Sequence, residues 1–439
     1  MPQSQAGDTG IDDTAVDALR EERLDWRHKA VPASAWGSTV AEFTARRPPL
    51  SELGTPLLTL DAGALAHNTA VMASWCAAAG VLLAPHGKTT MAPALWRRQL
   101  AAGAFGLTLA NLPQLRVARA FGVRRLQLAN TLLDPAGLAW LAQELDRDPE
   151  FSFLSWVDSP RSVALMDAAL RAAGARRPVE VLVELGAAGG RTGCRTEHEA
   201  LAVAEAVRAT PTLALAGVGG YEGALAHDAS AERRAAVQTY LRRLRGLHGR
   251  LRERYETTHP VVTAGGSAFF DQVVEVLAPL ATDGTRVVLR SGAYQIHDDG
   301  FYRGISPFAR GAGDHSLRSA MHGWAQVVSR PEPGLALLNA GKRDLPFDEG
   351  LPEPQAVRGA RRGGEETPDD PLTGARVTAL NDQHAFLRLP NADGPAIGDI
   401  VRLGLSHPCT AFDKWSLIPV VDDAQALAPV VVDMVRTFF

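Results

Sequence analysis

The chain has little cysteine, no excess of basic residues and no long apolar run, and each shortage narrows what it can be. Three cysteines, Cys76, Cys194 and Cys409, are odd in number and far apart in 439 residues. That argues against a disulfide framework and for a reducing compartment. A formal net charge of −4 leaves no basic excess for gripping nucleic acid, so small-molecule partners are expected. No stretch holds eighteen uninterrupted apolar residues, and Met1 to Asp13 is polar and acidic without an apolar h-region. The expectation is a soluble, cytoplasmic protein with no membrane contact. No repeat of solenoid period is present.

What the chain does have is hydrophobic material, 46% of its residues, and a length suited to two domains or to a large barrel with an added domain. Its middle alternates short apolar runs with longer helix-period segments, the signature of βα units. Strand candidates are Leu57 to Asp61, Val81 to Pro85, Gly106 to Ala110, Arg125 to Asn130, Phe151 to Asp158, Val179 to Leu185, Leu213 to Gly219, Val261 to Ala264 and Arg286 to Arg290. That is one strand more than a closed eight-stranded barrel accepts. Helical stretches such as Ala62 to Ala79, Thr196 to Ala209 and Ala229 to Tyr255 lie between them.

From about residue 315 the helices stop and short strands follow one another, from Trp324 to Ser329 through Trp415 to Val421, which predicts a β domain over 315–439. Within it the stretch 348–374, rich in Pro, Gly and both charge signs, reads as an exposed loop or partly disordered insertion. Residues 1–54 carry a candidate helix, Asp13 to Glu22, and two tryptophans, Trp26 and Trp36. They are expected to pack on the body as an extension of a barrel spanning 55–314.

One lysine stands out. Lys88 follows an apolar run in Leu83-Ala84-Pro85-His86-Gly87-Lys88-Thr89. Burial at a strand end lowers an ammonium's pKa, and only a neutral amine forms a Schiff base with a carbonyl cofactor. A lysine reaching out to water is the alternative. Two glycine loops bear on the choice. Gly265-Gly266-Ser267 follows one late strand and opens a helix, so its backbone amides could cradle a phosphate. Arg290-Ser291-Gly292-Ala293-Tyr294 ends the next strand. A strand-end lysine facing two such loops makes pyridoxal 5'-phosphate a plausible cofactor.

Read together, the segment around Lys88, Glu184 with Arg191-Thr192-Gly193, Tyr221 in its glycine-rich strand end, and the loops Gly265-Gly266-Ser267 and Gly292-Ala293-Tyr294 come in the order found in fold-type III pyridoxal-phosphate enzymes. The chain resembles the D-serine dehydratase and D-threonine aldolase family over about residues 55 to 421. The resemblance implies an alanine-racemase-type (β/α)8 TIM barrel followed by a mainly-β domain, with Leu57 to Asp61 joining the β domain. It also implies a homodimer. Lys88 would then carry the cofactor and serve as the base for the Cα proton, with His86, Arg191, Tyr221, Gly265, Gly266, Ser267, Gly292, Ala293 and Tyr294 around it. Tyr221 either touches the cofactor or packs on the barrel rim, Arg191 either meets the ring or substrate carboxylate or is solvated, and His86 either flanks the cofactor or is a satisfied core histidine.

His407-Pro408-Cys409 supplies a second chemistry. In an extended segment residues i and i+2 share a face, and imidazole with thiolate suits Zn2+ better than Mg2+ or Ca2+. The resemblance implies zinc at His407 and Cys409 beside the cofactor; His384, at the end of a polar run before a strand, is either a supporting residue of that site or an ordinary surface histidine. A thiolate in second place, where the family's aldolases more often have a carboxylate, leans toward dehydration of a β-hydroxy D-amino acid such as D-serine to an oxo acid and ammonia. The alternatives are retro-aldol cleavage to glycine and an aldehyde, and a non-catalytic pyridoxal-phosphate carrier. Such carriers lack a second β domain. Two departures from the family pattern bear on the substrate: where many relatives read Lys-Thr-His-Lys, Lys88-Thr89-Thr90-Met91 lacks the basic pair, and the N-terminal extension and the 348–374 stretch are additional.

Overall fold

The computed structural model describes residues 10–311, 315–358 and 369–439. Its first strand, β1 (Leu57–Asp61), stands apart from the eight that follow: β2 (Leu82–Leu83), β3 (Leu107–Leu109), β4 (Arg125–Leu128), β5 (Ser152–Val157), β6 (Val179–Leu185), β7 (Leu213–Gly220), β8 (Val261–Ala264) and β9 (Arg286–Leu289). These eight make one parallel sheet in the order β2-β9-β8-β7-β6-β5-β4-β3. The seam between β2 and β3 is joined by Phe105 N donating to Leu83 O at 2.7 Å and Thr108 N to Pro85 O at 2.9 Å. The expected (β/α)8 barrel is thereby formed, and all nine predicted strands are present.

Parallel strands covered on both faces read as apolar runs, which is why the sequence exposes them. Trp156, Leu182, Ala216, Val261 and Val288 fill the inside of the barrel. The helices outside begin where strands end, on side-chain caps. Asp61 accepts from Ala64 N at 2.7 Å ahead of the helix Ala62–Ala78, and Asp134 accepts from Gly137 N ahead of Pro135–Arg147. Thr196 and Glu199 form a reciprocal capping box ahead of Glu197–Arg208. Gly217 is required by closeness: at φ +154° a Cβ there would lie 1.9 Å from Val261 O on the next strand.

The second domain comprises β10 (Met321–Glu332), β11 (Leu335–Leu338), β12 (Glu353–Arg358), β13 (Asp370–Pro371), β14 (Arg376–Leu380), β15 (Ala385–Arg388), β16 (Ile400–Gly404), β17 (Leu417–Val421) and β18 (Val431–Arg436). β1 lies in this sheet, antiparallel to β10 with Leu58 opposite Gly323, and parallel to β17 with Leu60 opposite Val420. That accounts for the surplus strand. Toward the N-terminus, Leu24, Val40, Phe43 and Leu50 pack with Leu57, Trp324 and Leu417 of the β domain, while Ile11 and Val16 join the barrel core. The predicted helix there is a five-residue α-helix, Asp13–Asp17, continued by a 3-10 turn, Ala18–Glu21.

The structure differs from the sequence reading at 348–374. Glu353–Arg358 is not loop but strand β12, paired with β16 and β13, and residues 359–368 lie outside the described part. Ladder bonds to β16 stabilise a segment whose Pro354 and charged residues hide its strand character.

Candidate active site

The C-terminal ends of the barrel strands and two segments of the β domain, at Glu349 and at His407 to Cys409, enclose a cavity of about 660 Å³. Lys88 enters it from a single 3-10 turn, Gly87–Thr89, just past β2. Trp96 Nε1 donates to Gly87 O at 3.1 Å and pins that turn, and a Cβ on Gly87 would sit 2.9 Å from the same nitrogen. The Lys88 amine makes no hydrogen bond among the described residues. Burial pulls its pKa down, opposed by the attraction of Cys409 and aided by the charges of Arg191 and Arg290.

His86 faces the cavity with Nδ1 buried and without a partner. Burial, then the charges of Lys88 and Arg290, hold its imidazole well below the ordinary value, so it is neutral at pH 7. Two further buried polar atoms of the cavity wall lack partners: Trp156 Nε1 and Glu184 Oε2. Glu184, at the end of β6, accepts from Thr192 Oγ1 at 2.9 Å through its other oxygen. Burial pushes its carboxyl up to about 7, against that hydrogen bond.

Arg290 ends β9 and is 4% exposed. It donates to Thr263 Oγ1 at 2.7 Å and to Gly220 O at 2.5 Å, and lies 4.9 Å over the Trp156 ring. Glu222, wholly buried, supplies the strongest opposing charge. Its two carboxylate oxygens accept from Gly265 N at 2.9 Å and Gly266 N at 2.7 Å. The glycine amides read from sequence as a phosphate cradle are therefore held by a side chain. The amides of Ser267, Ala268 and Gly292, which have no partner among the described residues, line the same cavity. Ser267 Oγ accepts from Ala293 N at 3.2 Å and ties the two loops together. Gly292 has no room for a side chain, since a Cβ there would lie 2.5 Å from His86 O.

Arg191 and Tyr221 meet at the rim, the guanidinium 5.2 Å above the ring. Across the mouth stand His407 and Cys409. They converge, but through a turn and not through strand alternation: His407 has φ +59°, Pro408 is α-helical and Cys409 begins the short helix Cys409–Phe412. Buried Asp298 accepts from His407 N at 2.9 Å and holds that left-handed backbone. Asp348 Oδ2 is 2.6 Å from His407 Nδ1, while Thr410 donates to Asp348 Oδ1 at 2.6 Å. Cys409 donates to Thr89 Oγ1 at 3.5 Å, one residue from Lys88. Against its burial, Cys409 and Asp348 raise the His407 imidazole to about 9, and His407 in turn lowers the Cys409 thiol.

Two predicted residues are not brought to the cavity. Tyr294 is 2% exposed and packs in the barrel core facing Gln99. Its backbone turns at Gly292, so the side chain leaves on the far side of the loop. His384 is exposed in the turn before β15 and does not line the cavity. Sequence reading passed over Arg290, Glu222, Trp156 and Asp348. Glu222 left the clearest signal, an acidic residue between glycines at one strand end opposite bare amides at the next.

The sequence pattern of the family described as "Alanine racemase, N-terminal domain" matches residues 60–279, half of the chain, and that of "Putative serine dehydratase domain" matches residues 320–421. The chain belongs to the fold-type III pyridoxal-phosphate enzymes, in the D-serine dehydratase and D-threonine aldolase family. Within that family it is 29% identical over 378 residues to a D-threonine aldolase of an Arthrobacter species, covering 85% of this chain and 91% of that protein. It is 25% identical over 307 residues to a 3-hydroxy-D-aspartate aldolase of Paracoccus denitrificans, covering 69% and 76%. The solved D-threonine aldolase of Filomicrobium marinum superposes with a TM-score of 0.73 at 26% identity, covering 89% of this chain and 96% of that one. The family member described here is a pyridoxal-phosphate lyase. No helix among its described residues is long and apolar enough to cross a membrane.

Proposed function

We propose that this lyase dehydrates a β-hydroxy D-amino acid such as D-serine, giving an oxo acid and ammonia, with zinc at His407 and Cys409. The observation that carries the reading is the meeting of His407 and Cys409 with Lys88 at one cavity.

The cavity suits the cofactor. Three buried polar atoms without partners, His86 Nδ1, Trp156 Nε1 and Glu184 Oε2, point to a ligand with a polar perimeter. The free amides of Ser267, Ala268 and Gly292 are fit for a phosphate. When bound, pyridoxal phosphate supplies an electron sink that makes the Cα proton of an amino acid removable. Lys88 takes that proton at its amine, which burial keeps ready to accept one. Arg191 offers a planar fork to the substrate carboxylate.

The donor set at the other end suits a soft, borderline metal. With Asp348 on Nδ1, His407 is left Nε2 to coordinate, the arrangement usual for a metal-bound imidazole. Among the described residues no group of three His, Cys, Asp or Glu able to hold a metal exists, so His407 and Cys409 would need further ligands beside them. Zinc there would supply a Lewis acid for the departing β-hydroxyl. A cofactor carrier has no use for this pair.

Retro-aldol cleavage is the second reading, favoured by the D-threonine aldolase that matches 85% of the chain. D-Threonine separates the two. Ammonia and 2-oxobutanoate are expected, whereas glycine and acetaldehyde would replace dehydration by aldol cleavage. A homodimer belongs to the same reading, and the mass of the protein in solution tests it.

A further inference from the structure

We infer that Arg195 positions Arg191 for the carboxylate of the substrate, by serving as the cation around which the loop carrying Arg191 is folded. The inference rests on the function proposed above, in which Arg191 meets that carboxylate.

The loop leaves β6 at Gly186 and comes back beside the strand end at Cys194. Backbone closes its base: Gly186 N donates to Cys194 O and Cys194 N to Glu184 O, both at 2.8 Å. Asp158, just past β5, adds to the closure, its Oδ2 accepting from Gly193 N at 3.1 Å and its carbonyl from Cys194 Sγ at 3.2 Å. The hydroxyl of Thr192 reaches Glu184. The tip, which carries Arg191, is held differently. Gly190 N donates to Ala187 O within the tip itself. By hydrogen bond, residues 188–191 are tied to the base through Arg195 alone among the described residues.

Arg195 does this with both terminal nitrogens of its guanidinium. Nη1 donates to Thr192 O at 2.8 Å and to Gly193 O at 2.6 Å, while Nη2 donates to Arg191 O and, at 3.4 Å, to Gly190 O. Four consecutive carbonyl oxygens thus converge on one cation. Without it they would repel one another, and each would need another donor. A planar fork with several N–H groups matches such a set of acceptors, and a compact ammonium does not. The loop leaves room for the group, since a Cβ on Gly186 would collide with Arg195 Nη1. Arg195 is itself anchored from outside the loop: its N–H donates to Glu199 Oε2 at 2.8 Å, and its carbonyl accepts from Arg243 of the helix Ala231–Leu251 at 2.9 Å. Arg195 does not line the cavity, whereas Arg191 does. The Arg191 guanidinium lies over Tyr221 and makes no hydrogen bond or ion pair among the described residues. Its backbone is therefore fixed and its fork is left free for a carboxylate.

The experiment measures kcat and KM of the cofactor- and metal-loaded protein with D-serine and D-threonine, and follows binding by the change in cofactor absorbance. D-Serinamide, which lacks the carboxylate, serves as the control ligand. Arg195→Ala should raise KM for the amino acids about tenfold or more and lower kcat less, the signature of a displaced binding group. Arg195→Lys should give a smaller rise. The affinity for D-serinamide should stay as it was. Arg191→Gln should raise KM by itself, and adding Arg195→Ala to it should change little more, because the two residues act as one. An unmoved KM in Arg195→Ala where Arg191→Gln raises it, full additivity in the double variant, or an equal loss for D-serinamide would overturn the inference. Should Arg195→Ala not fold, Arg195→Lys carries the same comparisons. An unmoved KM in Arg191→Gln would overturn the carboxylate role of Arg191, and this inference with it. No reaction and no absorbance change with either amino acid would overturn the proposed function as a whole.

Discussion

Around the ends of β7, β8 and β9 the cavity wall is made of buried charge and backbone: Glu222 is 0% exposed and grips two amides, and Arg290 is 4% exposed and grips Thr263 and Gly220. Across the mouth, Asp348 and His407 have side chains 40% and 21% exposed and hold chiefly each other and a left-handed turn. The first region is fixed before any ligand arrives, because each charge there is matched inside the protein. Its wall can orient a cofactor at little cost of reorganisation. The second region lies more open to water, on the side where the proposed metal and the substrate would enter and leave.

The largest expected effect breaks both regions at once. Lys88→Ala should cut turnover about 10³-fold or more, since in the proposed reaction one amine both anchors the cofactor and moves the proton. Borohydride reduction of the loaded protein followed by peptide mapping should place the cofactor on Lys88. A label on Lys29, Lys342 or Lys414 would reassign the site.

Next comes a change confined to the open side. Cys409→Ala, or removal of metal by a chelator, should lower turnover about 10³-fold, the equivalent of several kcal/mol of Lewis-acid assistance, with cofactor absorbance unchanged. Asp348→Asn should weaken metal binding about 10–100-fold, as loss of a supporting carboxylate does. Full activity in a metal-free preparation would erase the distinction between the two regions.

The converse change is smaller. Glu222→Gln leaves one of two amides without its acceptor and Arg290 without its strongest opposing charge. It should weaken cofactor retention by about 1–3 kcal/mol, or roughly 5–150-fold in Kd, while metal affinity stays put. A spectroscopic cofactor titration beside a metal titration checks both halves of that statement.

The smallest effect is on the cofactor-free fold. Glu184 has a folded pKa near 7, above the ordinary glutamate value, so its neutral form is the favoured one inside the protein. Stability from this group is full below the unfolded pKa and is lost as pH rises through about 7. Glu184→Gln should flatten urea-denaturation stability between pH 5 and 8 by roughly 1–3 kcal/mol. An unchanged slope would mean that Glu184 is charged in the fold.

The closed region was also the less legible one at the level of side chains. Strands β2 to β9 could be read from the sequence because burial on both faces writes continuous apolar runs. Glu222 could not be given its task, because its partners lie 43 and 44 residues away and its place in a glycine-rich strand end does not say which amides it meets. His407 and Cys409 were found by spacing, yet their convergence comes from a left-handed residue stabilised by Asp298, 109 residues earlier. β12 was hidden for the reason that partly covered strands near a sheet edge often are: Pro354 and its charges are tolerated where few neighbours demand apolar packing. Tyr294 was misplaced by two residues' worth of turn, a distance at which composition carries no direction.

β1 has a consequence for how the molecule comes into being. A ribosome delivers residues 57–61 early, but the strands that flank them, 321–324 and 420–421, emerge hundreds of residues later. The barrel can gather while the chain is still being made, whereas β1 must wait, its apolar face uncovered, for the tail of the chain to come back to it. His407 arrives in that same late stretch. The nascent protein therefore acquires its lysine first and its histidine and cysteine last, and the candidate site is completed only when β1 is joined to β10 and β17 in one sheet.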